Sequence, residues 1–302
     1  MFVVIQKKSL NYYNPGRKDK KMNNKTKRKN LPKELKSVRE DYASRWSKDA
    51  SKFSNQGDYD WMCSAIQGHP FVLEIGTGTG QSTLSLVRNG YSVISIEENT
   101  ECLKKAEEFL TSNNVSVRSI HRESIAYFDG YYSIGYKDIT QKHTPGEVLL
   151  IQGDIVNDPR LIKWLSESGP FDAIVCWLIG THAFRSLNEA VLRNKQVNNS
   201  GMYRLLVQNK IYDLADQLLT VGGKLNIVDR GEEPSTDYLK NDCLKSHEDQ
   251  AKGTSLRVDG LSYRDYPENE EPGVRLGMTV GQSGRIPEKY KRVYVSVSST
   301  KQ

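Results

Sequence analysis

The run Phe71-Val72-Leu73-Glu74-Ile75 leads straight into Gly76-Thr77-Gly78-Thr79-Gly80, and a helical pattern begins directly after it. A short apolar strand, a glycine-rich turn and a helix N-terminus make the opening βα unit of a doubly wound sheet. Glycines there let the backbone turn tightly and let a ligand lie against the peptide groups. Strands and helices that alternate after such a unit build a mostly parallel sheet with helices on both faces.

The alternation continues downstream. Residues 82–89 read as a helix stopped by Gly90, 92–96 as a second strand, and 101–110 as a helix with Thr100 as its N-cap. Strands at 148–152, 171–177 and 224–229 follow, with helices at 159–166, 201–219 and 236–246. Residues 274–280 and 292–298 read as two closing strands, the last alternating Val293, Val295 and Val297. The expected fold is α/β: a doubly wound, mostly parallel seven-stranded Rossmann-like sheet with an antiparallel C-terminal edge. Residues 115–147 break the rhythm. They are long for a connection and rich in aromatics (Tyr127, Phe128, Tyr131, Tyr132, Tyr136), which predicts an inserted hairpin or lid.

Ahead of the glycine loop, Leu35, Val38, Tyr42, Trp46, Phe53, Trp61, Met62 and Ile66 recur at helical spacing, predicting two or three helices broken near Asn55-Gln56-Gly57-Asp58. Residues 31–70 are therefore expected to form a helical cap, and 71–302 the main domain. The first 30 residues hold ten Lys and Arg against Asp19 alone, a surplus of nine, while the whole chain carries +6. The folded body is thus acidic by three. A domain that binds duplex nucleic acid carries its basic footprint on the body, so the arm at 1–30 reads first as a solvated, disordered tail and second as a tether for RNA or another polyanion. Met22 within it is an alternative start.

Cys63, Cys102, Cys176 and Cys243 stand far apart with no CxxC pair, and His121, His143 and His247 have no ligand spacing around them. Neither a metal site nor a disulfide framework is expected, and a reducing cytoplasm fits. No stretch reaches the roughly 20 apolar residues of a spanning helix, so no membrane partner is expected.

Three features carry chemistry. The glycine loop is the first. Glu97, at the end of the second strand, is placed to accept the two hydroxyls of a ribose, with Glu98 flanking it. Asp154, after Gly153, closes the third strand of the sheet. All three lie at carboxyl ends of strands, where open α/β sheets bind ligands. Each also has a structural reading: a ligand-free turn, a solvated strand-end acid, a turn cap. A nicotinamide dinucleotide site shares the first two features, but its GxGxxG pattern needs a glycine where Gln81 stands. Glu74, two residues before the first glycine, would also repel a pyrophosphate; inside an apolar strand it needs a partner, either a ligand ammonium or loop amides.

The segment Val72–Gly80, the acid at Glu97 and the Gly153-Asp154 pair together resemble the first three motifs of class I S-adenosylmethionine-dependent methyltransferases, over about residues 55–230. The resemblance implies S-adenosyl-L-methionine as cofactor, with Gly76, Thr77, Gly78 and Gly80 around its methionine part, Glu97 on the ribose, and Asp154 with Ile155 at the adenine. It also implies that Glu74 anchors the loop or the ligand's amino end. The fourth strand ends in Cys176-Trp177-Leu178-Ile179-Gly180-Thr181-His182 in place of the Asn/Asp-Pro-Pro-aromatic motif of amino methyltransferases for nucleic acids, which argues against adenine or cytosine amino methylation. Trp177 covers the cofactor or packs in the core. His182 is the candidate general base, with a structural role equally open. The expected acceptor is a small molecule, methylated on oxygen or nitrogen by direct displacement. RNA or protein modification through the arm, and cofactor binding without turnover, are the alternatives.

Overall fold

The computed structural model describes residues 30–195, 197, 199–266 and 291–302. The basic arm and the strand expected at 274–280 lie outside them. Helix α1 (Leu31–Asn55) buries Leu31, Leu35, Ala43, Trp46, Ala50 and Phe53 along one face and carries Pro32 in its first turn, where a missing N–H leaves no bond unmade. The chain turns at Gln56-Gly57 into α2 (Asp58–Ser64). Then come β1 (Phe71–Ile75), α3 (Gln81–Arg88), β2 (Ser92–Glu97) and α4 (Thr100–Ser112). The N-cap of α4 is Asn99, whose side chain accepts from the Glu101 amide at 3.1 Å. Thr100, expected in that role, lies inside the helix.

The insert is β3 (Val117–Ile120), β4 (Glu123–Tyr127) and β5 (Tyr132–Tyr136), followed by β6 (Val148–Gln152), α5 (Pro159–Ser168) and β7 (Phe171–Trp177). A 3-10 turn at Ala183–Leu187 and α6 (Glu189–Arg193) lead to α7 (Ser200–Leu218), β8 (Leu219–Glu232), α8 (Asp237–Ala251), β9 (Leu256–Asp265) and β10 (Arg292–Lys301).

Among the described residues the main sheet has eight strands, in the order β3-β6-β2-β1-β7-β8-β10-β9. It is the doubly wound, mostly parallel α/β sheet that the sequence predicts, with its antiparallel C-terminal edge formed by β10 against β8 and by β9 outside β10. One correction concerns the count: the insert contributes β3, parallel to β6, and β9 adds a strand outside those expected, so eight strands are described where seven were expected. Strand β9 escapes sequence reading because Asp259, Gly260 and mixed exposure interrupt its alternation. Strand β8 runs 14 residues, well beyond the expected 224–229, because Gly222-Gly223 reads as a turn whereas the chain accommodates it as an irregularity in the pairing with β7. Hairpin β4–β5 stands apart as a two-stranded sheet, and its Tyr132 packs against Leu31 and Leu35 of α1.

Alternation along the strands divides the core. Leu73, Ile94, Leu149, Ile174 and Leu225 face α5 and α7, while Val72, Val93, Ala173, Val175 and Val228 face Trp46, Phe53, Tyr59 and Met62. The chain leaves β1 toward β2 and later returns to its other side at β7. This switch point opens a crevice at the strands' carboxyl ends. Among the described residues, no helix is long and apolar enough to cross a membrane.

Candidate cofactor and acceptor site

A cleft opens at this crevice. Gly76, Gly78, Glu97, Glu98, Asp154, Ile155, Trp177 and His182 line it, so eight of the residues marked by sequence are brought together.

The glycine loop is stitched to β2 by Gly76 and Thr77, whose amides both donate to the Ile96 carbonyl, at 2.9 and 3.2 Å. Gly78 has φ +56°, and a Cβ there would stand 2.2 Å from Trp46 Nε1; a Cβ on Gly76 (φ +93°) would stand 2.7 Å from Ile179 Cδ1. The backbone must be bare where the cap helix and the β7 loop press onto it.

Glu97 grips this loop. One carboxylate oxygen accepts from the Gly78 amide at 2.9 Å and the other from the Asn99 amide at 2.8 Å. Burial pushes its carboxyl up to about 7 against the pull of those two donors, with Glu98 and Glu74 adding to the rise. Each oxygen keeps acceptor capacity for a further donor, because a carboxylate offers about four lone-pair sites.

Three residues expected at the ligand do not line the cleft. Glu74 is 2 % exposed and accepts hydroxyls from Ser82 (2.5 Å), Thr83 (2.6 Å) and Ser95 (2.6 Å). It ties the first turn of α3 to β1 and β2, which is the loop-anchoring half of the sequence expectation. The Thr77 hydroxyl joins the same network through Ser95 at 2.5 Å. Gly80 is bare because α4 passes over it, with Ala106 Cα 3.1 Å from a Cβ placed there.

The acids at the other end of the cleft are paired. Glu98 holds Arg39 at 3.1 Å and Arg185 at 2.6 Å, and lies 3.7 Å from His182 Nε2. Burial opposes its charge, but Arg185 and Arg39 bring the carboxyl down to about 2. Asp154 accepts from the Val156 amide at 3.0 Å, from Asn157 at 2.9 Å and from Arg185. Arg39 also reaches Glu123 on the hairpin, at 3.0 Å. Arg39, Tyr42 and Trp46 of α1, and Arg185 with Tyr203, belong to no short motif. Their one signal is the spacing of 39, 42 and 46, which puts them along one face of a helix.

Trp177 is 4 % exposed, and its indole N–H is spent on Asn226 at 2.7 Å, so its ring forms a fixed wall. The next residue, Leu178, has φ +55°, a conformation costly for a leucine and held by its amide bond to the Val228 carbonyl at 2.8 Å. The turn it makes swings Ile179–His182 over the cleft. His182 is 2 % exposed, and neither ring nitrogen has a hydrogen-bond partner among the described residues. Burial drops its imidazole to about 3 against the attraction of Glu98, so the ring is neutral.

No family model matches the chain, and no curated protein sequence does. Solved structures similar to it include TrmN from Thermus thermophilus (12% identity, 81% of this chain and 48% of that one, TM-score 0.43). A putative methyltransferase from Bacillus halodurans is 14% identical over 81% of this chain and 99% of that one, with a TM-score of 0.42. The [4+2]-cyclase SpnF is 12% identical over 68% of this chain and 58% of that one, with a TM-score of 0.38. Likeness at this level does not decide the reaction, which rests on the site.

Proposed function

We propose that this protein is an S-adenosylmethionine-dependent methyltransferase acting on a small molecule. The observation that carries the reading is Glu97 bound to the Gly78 amide at the floor of the cleft. A bare loop and a carboxylate with free acceptor sites, set on adjacent strands, suit a nucleoside whose other end lies along the glycines. With Glu98 and Asp154 paired to Arg39 and Arg185, Glu97 is the lining acid with no ion pair among the described residues, and its charge disfavours a pyrophosphate beside it.

In this reading Glu97 takes the ribose hydroxyls. Gly76 and Gly78 admit the methionine part, beneath the roof of Tyr42 and Trp46. Ile155 and Asp154 border the base. The bound cofactor supplies an activated methyl group on a sulfonium. Trp177, Leu178 and Ile179 wall the acceptor side and exclude water. His182, neutral and unpartnered, accepts a hydrogen bond from the nucleophile's O–H or N–H and so aligns it for in-line attack, where orientation supplies most of the acceleration. A pKa near 3 suits it to this positioning better than to storing the proton, which the methylated acceptor loses to solvent as S-adenosylhomocysteine leaves.

The surplus of nine positive charges in the N-terminal arm favours one second reading, RNA or protein methylation with the arm as tether. Incubation with methyl-tritiated S-adenosylmethionine and pools of small organic acids, RNA and protein separates the cases. Label in the small-molecule fraction is the expected result, and label in the RNA or protein fraction overturns the substrate class. Tight cofactor binding with no S-adenosylhomocysteine formed in any pool makes the protein a non-catalytic binder.

A further inference from the structure

Five arginines are buried among the described residues: Arg39, Arg122, Arg185, Arg204 and Arg230. Four hold carboxylates, at Glu98 and Glu123, Asp158, Asp154 and Glu98, and Asp229 respectively. Arg230 is the exception. Its side chain is on a residue 6 % exposed, and it makes no carboxylate ion pair among the described residues. Only Nη1 is bonded, to the Tyr266 hydroxyl at 3.1 Å, with the guanidinium over that ring at 5.1 Å. Nε and Nη2 have no partner. These two nitrogens share one edge of the guanidinium, the edge that grips a carboxylate or phosphate through two parallel hydrogen bonds. A buried cation left with that edge unsatisfied is costly, and a native structure keeps such a group for a reason.

The position of Arg230 supplies the reason. Side chains alternate along β8, so Asp229 points to α7, where it meets Arg204 at 3.0 Å and Gln208 at 3.2 Å, while Arg230 follows Val228 on the opposite face. Val228 holds the Leu178 amide, and Leu178 lines the cleft. Tyr42, also in the lining, feels the charges of both Glu97 and Arg230. In the sheet order, β2 and β6 carry Glu97 and Asp154, and β8 lies three and four strands away, roughly 14 and 19 Å. Arg230 stands just outside the cleft lining, behind Leu178 and Tyr42, so with the cofactor in the β6–β1 half an acceptor that extends past Leu178 toward β8 reaches it.

We infer that Arg230, braced by Tyr266, binds an anionic oxygen group of the methyl acceptor, so that the substrate is a small carboxylate or phosphate. The inference rests on the cofactor reading for the word acceptor; the anion site itself does not. The test is calorimetric titration of the full chain with succinate, inorganic phosphate and S-adenosylhomocysteine, repeated on Arg230→Met and Arg230→Lys, with thermal unfolding of each protein free of ligand. The expected result is saturable binding of one anion, weakened roughly tenfold or more in Arg230→Met, with S-adenosylhomocysteine affinity unchanged within about twofold. Arg230→Met should also unfold at a higher temperature than the wild type, because an unpaired buried charge is removed. Preference for succinate assigns a carboxylate, and preference for phosphate a phosphoryl group. Equal anion binding by wild type and Arg230→Met overturns the proposal, as does failure of both variants to fold as stably as the wild type, which makes Arg230 structural. Loss of S-adenosylhomocysteine binding by the wild type, with Arg230-dependent anion binding intact, overturns the cofactor reading and leaves the anion site standing.

Discussion

Arg185 donates to the carboxylate of Asp154 and, through its other terminal nitrogen, to Glu98 at 2.6 Å. One guanidinium thus bridges both acids at this end of the cleft, and in the proposed reading an incoming adenine must share Asp154 with it. Replacing Arg185 by Met leaves the buried Asp154 without its cation and Glu98 with Arg39 alone, and should destabilise the fold by about 3 kcal/mol, read by denaturant unfolding. Asp154→Asn, which leaves Arg185 held by Glu98, should instead be milder for stability and weaken S-adenosylhomocysteine binding about tenfold. A variant pair with the opposite ranking would place the adenine elsewhere.

Glu97 makes cofactor affinity pH-dependent. Its folded value of about 7 lies above the ordinary 4.5, so between those values the free protein holds a proton that the unfolded chain has lost. The stability this group contributes, about 3 kcal/mol, is present at acid pH and lost as the pH rises through 7. Ribose hydroxyls need the ionised acceptor, so binding runs the other way and tightens as pH rises through 7, releasing a proton below it. Calorimetry at pH 6 in buffers of different ionisation heat measures the release, and Glu97→Gln should abolish it.

Glu74 and the cleft should separate cleanly. Glu74→Gln keeps its shape but makes one of its atoms a donor facing three hydroxyls, so the expected loss is about 2 kcal/mol of stability with S-adenosylhomocysteine affinity within about threefold of wild type. A large fall in affinity at unchanged stability would return Glu74 to the ligand.

His182 should stay neutral well below the usual histidine range. Nitrogen-15 NMR of the ring should show no protonation of this imidazole as the pH falls from 7 to 5. Protonation of His182 near pH 6.5 would restore it as a general base.

Most of the sheet was legible in the sequence because buried parallel strands read as short apolar runs. Phe71–Ile75, Val148–Gln152 and Phe171–Trp177 fall where the pattern puts them. The edges were not legible. Strand β9 shows solvent one of its sides and tolerates Asp259 and Gly260, and β3 is four residues inside an insert. At the site, the residues fixed by backbone geometry, Gly76, Gly78 and Glu97, could be found by spacing alone. Glu74 could not be told from a ligand contact, because an acid in an apolar strand announces only that it has a partner. Arg185 gave no sequence signal and Arg39 only its helical spacing with Tyr42 and Trp46, while Arg230, beside Asp229 near the end of a predicted strand, could be read either as a substrate contact or as a surface pair.

The most direct test of the central claim is calorimetric titration of the purified full chain with S-adenosylmethionine, S-adenosylhomocysteine and NAD, alongside Glu97→Ala. The account predicts that the first two bind and NAD does not, and that the substitution weakens both by roughly tenfold or more. A folded protein that binds neither, or that binds NAD in their place, would contradict it.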